Sequence, residues 1–391
     1  MTSIRALFRL ELAAAAVLFV MPAASQSQVA MAAPVLEQRL QAKLDSLHAA
    51  GSFPGATVGV ALADGSMLAL AVGESDTTSH TRMRPADMML AGSTGKTFFG
   101  AVALQLVSEG RIALDDPISK YLGSEPWFSR LPNGPAITIR MLMNHTSGLV
   151  RYEFDDAFTQ AVRAEPYRVW KPEEQVAFIL GTEPPFAAGQ GWTYSDTNYI
   201  VLAIIMERVT GEPMYEAIRR RVLRPLGLEA GIIAQTGPDL PGLVQGYAGQ
   251  GNPFADSDEV LVDGRFVFDP SFEWAGGGFI VNAGSLARWA KLLYENRAFD
   301  PRLNAEFYDG VETRGLGRGA RYGLGVIIAE SPFGTTYGHS GFFPGYLTEV
   351  RYWPDHRFAI AIQVNTSASG RAVPGGTAGA LVQMAGILVE N

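Results

Sequence analysis

A serine and a lysine three residues apart carry the clearest chemical signal in this chain. Ser93 and Lys96 are followed by residues 98–108, a largely apolar run that predicts a buried helix. Residues i and i+3 of a helix share one face, so the lysine amine can lie beside the serine hydroxyl. A serine hydroxyl is a weak nucleophile until a base takes its proton, and a buried neutral lysine can be that base. The pair therefore predicts a nucleophilic serine.

The same stretch also matches part of the sequence pattern of a nucleotide-binding loop. Residues 92–97 (Gly-Ser-Thr-Gly-Lys-Thr) end like the phosphate-binding pattern G-x-x-x-x-G-K-[ST]. That pattern requires a glycine at position 90, where this chain has Leu90. The sequence also offers no apolar strand ending in an aspartate that would hold magnesium. The nucleotide hypothesis is therefore the weaker one.

Two further polar segments follow at long intervals. Residues 194–198 (Tyr-Ser-Asp-Thr-Asn) come after a loop rich in proline and glycine, and an apolar helix is predicted after them. Residues 338–341 (Gly-His-Ser-Gly) lie between a predicted turn and a predicted strand. Several motifs in a fixed order are far more specific than any one of them.

This order of motifs resembles the serine β-lactamase and penicillin-binding protein superfamily, whose marks are S-x-x-K, then Y-x-N or S-D-N, then K-T-G. Within it the chain is most similar to the branch of class C β-lactamases, D-alanyl-D-alanine carboxypeptidases and esterases. In that branch tyrosine leads the second motif, and H-[ST]-G can stand for K-T-G. Residues 114–117, 143–149 and 275–278 also look like that branch. The resemblance extends over roughly residues 35–390.

The resemblance implies an acyl-serine mechanism. Ser93 would attack the substrate carbonyl, and Lys96 would take or relay its proton. Tyr194, with a phenolate form as one option, would share the base role and protonate the leaving group. Backbone N–H groups of Ser93 and Phe342 would hold the oxyanion, and Gly341 would let the strand approach the substrate closely. Water would then hydrolyse the ester.

Two positions depart from the family pattern, and both change the charge of the site. Asp196 stands where asparagine is usual, and His339 stands where lysine is usual, beside Ser340 in the same predicted substrate-binding set. A carboxylate only accepts hydrogen bonds and should keep Lys96 protonated, and a neutral histidine attracts a substrate carboxylate less than lysine does. These changes disfavour anionic substrates and favour neutral esters and amides or substrates with an amine, unless an arginine such as Arg151 restores the charge.

Several of these residues could have a different role. Tyr294 begins a second Y-x-N, but its place late in a charged helix predicts a solvated residue. Asp196 could instead cap the following helix, and Asn198 could supply the missing amide if the local turn shifts. His339 could be a structural histidine at a strand end.

The predicted elements indicate an α+β protein with its sheet built from both ends of the chain. Residues 35–49 have helical spacing, and Asp64-Gly65 joins two short strands into a hairpin. Helices predominate in the middle, and strands return in the last third. The resemblance implies the β-lactamase/transpeptidase-like fold, with flanking helices and an inserted helical lobe. We expect an α/β lobe of residues 33–80 and 271–391, a mainly helical lobe of 81–270, and the active site between them.

Composition excludes several classes of function. The chain has 391 residues, of which 47% are apolar and 18% charged, with a formal net charge of −8 and no cysteine. It lacks the basic surface that nucleic-acid binding needs, and it has no thiolate chemistry. No histidine pair has zinc spacing, so we expect no metal and no cofactor. The expected partner is a small-molecule or short-peptide substrate, and the sequence leaves the oligomeric state open.

The N-terminus predicts export. Arg5 and Arg9 precede a short apolar stretch at 12–21, and Ala-Met-Ala at 30–32 fits a cleavage site. Residues 1–32 are therefore predicted to be a signal peptide, with an uncleaved anchor as the alternative, and the mature chain is predicted to be periplasmic or secreted without a membrane span. The predicted function is an exported serine hydrolase of ester or amide bonds. The alternatives are a class C-like β-lactamase and a penicillin-binding sensor or scaffold with little turnover.

Overall fold

The computed structural model describes residues 23–390, with side chains from residue 34 onward. Residues 1–22 of the predicted signal peptide lie outside the described residues, and 23–32 enter only as backbone of the first helix. The signal peptide and its cleavage site therefore remain predictions. Among residues 23–390, no helix has both the length and the apolar character that crossing a bilayer requires.

The described part of the chain contains fourteen strands. In chain order these are β1 (Gly55–Ala61), β2 (Met67–Asp76), β3 (Thr81–Arg82), β4 (Met89–Leu90), β5 (Ile232–Ala234), β6 (Leu261–Val262), β7 (Arg265–Phe266), β8 (Phe279–Val281), β9 (Val311–Glu312), β10 (Arg321–Tyr322), β11 (Ile327–Ser331), β12 (Gly334–Phe343), β13 (Tyr346–Trp353) and β14 (Phe358–Val364).

The same residues form eleven α-helices. In chain order these are α1 (Ala23–Ala50), α2 (Lys96–Ser108), α3 (Ser119–Leu122), α4 (Ile139–Met143), α5 (Asp156–Ala164), α6 (Pro172–Ala177), α7 (Asp196–Thr210), α8 (Met214–Ile218), α9 (Ala283–Tyr294), α10 (Asn304–Phe307) and α11 (Gly376–Val389).

Nine strands form one antiparallel sheet in the order β3-β2-β1-β14-β13-β12-β11-β10-β9. The first strand of the chain pairs with the last one in the middle of this sheet, where Ala56 faces Val364. Two smaller sheets, β4-β8-β5 and β6-β7, accompany it. The predicted fold, a mixed α/β protein whose antiparallel sheet is built from both termini, is confirmed.

Helices cover both faces of the large sheet. On one face α1 and α11 contribute Leu40 and Leu381 to a buried apolar cluster with β1 and β14. On the other face α9 lies against β1, where a Cβ on Gly59 would be 2.2 Å from the carbonyl oxygen of Ala283. Because both faces are covered, β1 and β14 are buried along their whole length, which explains their nearly continuous apolar sequence.

The inserted segment between β4 and β8 is mainly helical. Helix α7 is buried over its first eleven residues and ends at Gly211, whose φ of 74° is left-handed. It begins at Asp196, earlier than the predicted start at Tyr199. The predicted lobe boundaries at residues 80 and 271 remain predictions, since the core around α2 and α7 continues across them to α9 and β8.

Candidate active site

Ser93 and Lys96 lie at the junction of two helical turns. A 3₁₀ turn (Gly92–Gly95) carries Ser93 and continues directly into α2, whose first residue is Lys96. The Lys96 Nζ atom donates to Ser93 Oγ at 3.0 Å, and the lysine side chain is fully buried. The i, i+3 relation expected from the sequence is therefore present, and the amine faces the hydroxyl.

Ser93 opens into a cavity of about 640 Å³ between β12 and the helical segment. Lys96 is fully buried behind the serine and does not line the cavity itself. Seven residues proposed from the sequence for catalysis or substrate binding line this cavity: Ser93, Tyr194, Asp196, His339, Ser340, Gly341 and Phe342. The three distant motifs of the chain thus meet at one place.

Three oxygen acceptors surround the Lys96 ammonium. Its Nζ atom donates to Asp196 Oδ1 and to the carbonyl oxygen of Gly276, in addition to Ser93. Burial opposes the charge on Lys96, but the charge and hydrogen bond of Asp196, together with Tyr194 and Glu273, outweigh it and raise the pKa of the amine. The lysine in this structure is therefore an ammonium ion and not yet a base.

Tyr194 lies beside the ammonium. Its ring centroid is 5.0 Å from Lys96 Nζ, and its other side packs on His145 with 4.2 Å between ring centroids. The Tyr194 hydroxyl is buried and has no hydrogen-bond partner in the described part of the chain. Burial raises the pKa of Tyr194, and the opposing charge of Lys96 does not overcome this effect. The resting tyrosine is therefore a phenol, which argues against the phenolate option.

Asp196 is the centre of a charged cluster, and the prediction that it could act as a helix cap is wrong. Ser195 occupies the N-cap position of α7, and Asp196 turns its carboxylate toward Lys96 and toward Arg151 Nη2 at 3.4 Å. Burial works against the carboxylate, but the charges of Lys96 and Arg151 lower its pKa overall. Asp196 is ionised, as expected from the argument on charge.

Arg151 does not leave a free positive charge in the cavity. Its Nε atom donates to Glu153 Oε1 at 2.5 Å, and its Nη2 atom reaches Asp196. Glu153 Oε2 has no donor among the described residues and lies against Asp196. Burial and the charge of Asp196 raise the pKa of Glu153 well above its usual range. Glu153 and Asp196 therefore influence each other's ionisation directly.

His339 lines the cavity although almost all of its surface is buried. Its Nε2 atom is 2.8 Å from the Tyr322 hydroxyl, and its Nδ1 atom is 2.7 Å from the carbonyl oxygen of Ser340. Burial and the positive charge of Lys96 lower the pKa of His339 to about 3. The imidazole is therefore neutral. It adds no positive charge where the related family has a lysine.

The backbone of β12 closely approaches Ser93. A Cβ on Gly341 would lie 3.3 Å from the Ser93 nitrogen and 2.1 Å from the carbonyl oxygen of Ala91. A Cβ on Gly92, whose φ is 50°, would lie 2.7 Å from the Phe342 nitrogen. Glycine at both positions is thus required for the contact. The contact brings together the backbone N–H groups of Ser93 and Phe342. Their proposed role in binding the oxyanion remains a prediction.

Tyr294 and Asn198 both lie away from the cavity. Tyr294 is buried, and it stacks on Tyr352 with 5.9 Å between ring centroids, so the expectation that it is solvated is wrong. Asn198 is buried behind the site, where its amide bonds to Ser147 and His145. It does not line the cavity and cannot supply the missing amide to a substrate.

Two acidic residues that were not predicted from the sequence also line the cavity, Glu153 and Glu273. Burial and the charge of Asp196 raise the pKa of Glu273 to about 8. Glu273 stands three residues before the glycine run 276–278, which resembles the family pattern, and Glu153 follows Arg151 by two residues. Their positions close to motif residues are the only sequence signal that could have pointed to a role in the site. Nothing else in their local sequence distinguishes them from surface glutamates.

Comparisons with known proteins agree with this arrangement. A family model named Beta-lactamase matches residues 37–383. Esterase EstB from Burkholderia gladioli is 29% identical over 345 residues, which cover 78% of this chain and 87% of the esterase. A D-aminopeptidase from Brucella anthropi is 27% identical over 317 residues, covering 80% of this chain. The chain spans only 56% of that D-aminopeptidase, and 61% and 62% of two relatives from Bacillus subtilis.

A solved structure shows that the fold is shared as well. The D-stereospecific amidohydrolase from Streptomyces sp. superposes with a TM-score of 0.73 at 26% sequence identity, covering 91% of this chain and 96% of the other. The family model extends across all three motif segments. The chain therefore belongs to the beta-lactamase family.

Proposed function

We propose that this protein is an acyl-serine hydrolase that cleaves ester or amide bonds. One observation carries the proposal: Lys96 Nζ lies 3.0 Å from Ser93 Oγ at the wall of a cavity that Tyr194 and β12 also line. A nucleophile, a proton acceptor and backbone donors within one cavity are what acyl transfer requires. The names of the esterase and amidohydrolase relatives support the same reaction class.

The charges in the site determine how the serine would be activated. With Lys96 as an ammonium and Tyr194 as a phenol, neither group can take the Ser93 proton in the resting state. The reactive form is therefore one in which the Lys96–Tyr194 pair has lost a proton. Lys96 then accepts the serine proton as Ser93 attacks the carbonyl, and Tyr194 relays a proton to the leaving group. Activity should increase toward alkaline pH.

The same charges limit the substrate class. His339 is neutral and Arg151 is held by two carboxyl groups, so the buried part of the cavity offers little to a substrate carboxylate. A further cation in the cavity lining, Arg314, is exposed to solvent. At the cavity wall Phe154 and Phe342 expose 69% and 55% of their surfaces, and Trp192 lies close to Tyr194. We therefore assign neutral or amine-bearing esters and amides with apolar groups, including D-amino-acid derivatives, ahead of penicillins.

The test is hydrolysis by wild type and by Ser93→Ala. The substrates are p-nitrophenyl esters, nitrocefin and a D-Ala-D-Ala peptide, assayed side by side, with mass spectrometry of the quenched protein. We expect turnover of the uncharged esters, a serine-bound acyl group in wild type, and neither in the variant. Ser124→Ala, an exposed serine outside the cavity, is the matched control. Full turnover by Ser93→Ala would refute the proposal, and a single burst without turnover would favour a penicillin-binding sensor.

Export is a separate part of the proposal. The basic and apolar start of the chain, with Ala-Met-Ala at 30–32, supports a cleaved signal peptide. Expression of the full chain in a Gram-negative host, followed by fractionation and N-terminal sequencing, should give a periplasmic protein that begins near residue 33. An intact N-terminus in the cytoplasmic fraction would contradict export.

A further inference from the structure

Glu273 is a buried acid that the proposed reaction does not use. Only 7% of its surface is exposed, and the side chain lines the same cavity as Ser93. Among residues 34–390 its carboxyl group forms no hydrogen bond and no ion pair, although the charges of Lys96 and Arg151 act on it from a distance. Buried carboxyl groups without a partner are rare and costly, because they lose their hydration and gain nothing in exchange. A group of this kind at the wall of a cavity indicates a ligand.

The backbone after Glu273 fixes the direction of its side chain. Trp274 has φ 33° and ψ −109°, a conformation that a non-glycine residue adopts only when its surroundings enforce it. Two residues later, the carbonyl of Gly276 accepts a hydrogen bond from Lys96. A Cβ on Gly276 would lie 3.1 to 3.3 Å from the carboxyl atoms of Glu273. The strained turn thus holds the Glu273 carboxyl next to the loop that contacts the catalytic lysine.

Apart from the exposed Arg314 at the cavity wall, the other charged groups of the cavity pair with one another. Asp196 pairs with Lys96 and with Arg151, and Glu153 pairs with Arg151. Glu273 is the acid in this set that has neither a cation nor a donor. Burial and the charge of Asp196 raise the pKa of Glu273 to about 8, and a bound cation would lower it.

We infer that Glu273 binds the ammonium group of the substrate, so that the preferred substrates are esters or amides carrying a free amine near the scissile carbonyl. An ammonium ion supplies both the charge and the N–H donors that the carboxyl lacks. Phe272 and Phe154 line the same cavity and provide apolar contact for the rest of the molecule. This inference rests on the proposed function, since it names the substrate class of the same site.

The kinetic test uses two matched substrates. One is an amino-acid p-nitroanilide with a free α-amine and an apolar side chain, and the other has hydrogen in place of the amine. Glu273→Gln should lower kcat/KM for the amine substrate by about tenfold or more, the range expected for a lost hydrogen bond to a charged group. The deamino substrate should be unaffected. Glu165→Gln, an exposed glutamate outside the cavity, is the control and should change neither value.

The outcomes separate substrate recognition from other roles of Glu273. Equal losses on both substrates would overturn the inference, since they would indicate a structural or catalytic role. No loss on either substrate would overturn it as well. Glu273→Asp keeps the charge on a shorter side chain, and it should retain part of the preference for the amine if the carboxylate is responsible.

A binding measurement tests the inference without turnover. Ser93→Ala protein is titrated calorimetrically with 2-phenylethylamine and with 2-phenylethanol. We expect the amine to bind at least about tenfold more tightly than the alcohol, and the double variant Ser93→Ala/Glu273→Gln to lose that difference. Equal binding of the two ligands to Ser93→Ala would overturn the inference. Hydrolysis retained by Ser93→Ala would instead refute the proposed function while leaving the binding result valid.

Discussion

The charge state of Lys96 is the main chemical property of the site at the residue scale. Its amine is within hydrogen-bond distance of Ser93, which suits a base, yet its ion pair with Asp196 holds the proton in place. The asparagine usual at position 196 would accept a hydrogen bond from the amine without this charge. The chain therefore combines the geometry of an acyl-transfer site with a base that is harder to deprotonate.

The substitution Asp196→Asn tests this property through the pH dependence of activity. Removing the carboxylate removes the largest influence that raises the pKa of Lys96, and also one that raises the pKa of Tyr194. Both pKa values should fall, so the reactive form appears at lower pH. We expect the rising limb of kcat/KM against pH to move down by at least about one unit, measured with an uncharged p-nitrophenyl ester.

The control for this substitution is Asp309→Asn, which changes an exposed aspartate outside the cavity and should leave the profile in place. A limb that stays fixed or moves to higher pH in Asp196→Asn would contradict the assignment of Lys96 as the base. The same variant should also gain activity on carboxylate-bearing substrates relative to neutral ones, because a negative charge is removed from the cavity.

At the scale of elements, the site depends on the contact between the 3₁₀ turn that carries Ser93 and strand β12. Glycines at 92 and 341 allow the two backbones to touch, and the third motif is thereby brought to the first. The sequence predicted that Gly341 permits close approach. In the structure, Gly341 lies against the backbone of Ala91 and Ser93. Only folding brings these distant segments together.

The substitution Gly341→Ala should separate these elements. The new Cβ would lie 2.1 Å from the carbonyl oxygen of Ala91, so β12 must move away from Ser93. A shift of about 1 Å at a reacting centre can lower activity about 100-fold, and we expect a loss of that order in kcat/KM. Gly237→Ala, where a Cβ meets nothing within 4 Å, should retain activity. Wild-type activity in Gly341→Ala would refute the need for this contact.

At the scale of the whole molecule, the sheet joins the two ends of the described chain. β1 pairs with β14, and α1 packs with α11 over that pair. The active-site segments lie between these ends in sequence, so the closure of the sheet holds β12 opposite the helical insert. The stability of the N- and C-terminal elements should therefore determine that of the entire fold.

The substitution Leu381→Ala tests this dependence. Leu381 is fully buried in α11 against the cluster that contains α1 and β14. Its truncation should lower the free energy of unfolding by about 2–5 kcal/mol, measured by urea denaturation, with activity and intrinsic fluorescence lost in one transition. Val169→Ala, at a site 68% exposed, should change the stability by less than about 0.5 kcal/mol. Loss of α11 structure while activity persists would contradict this coupling.

Local sequence determined much of this protein. The hairpin around Asp64-Gly65, the apolar helix after Lys96 and the strands of the last third follow from periodicity and turn residues, which act over a few positions. The order of the three motifs indicated the family and the serine–lysine pair. Only the tertiary structure decided that Tyr294 is buried, that Arg151 pairs with Asp196 and that Glu273 enters the cavity. These properties depend on contacts between residues far apart in the chain, and burial then sets their charges, which no local pattern encodes.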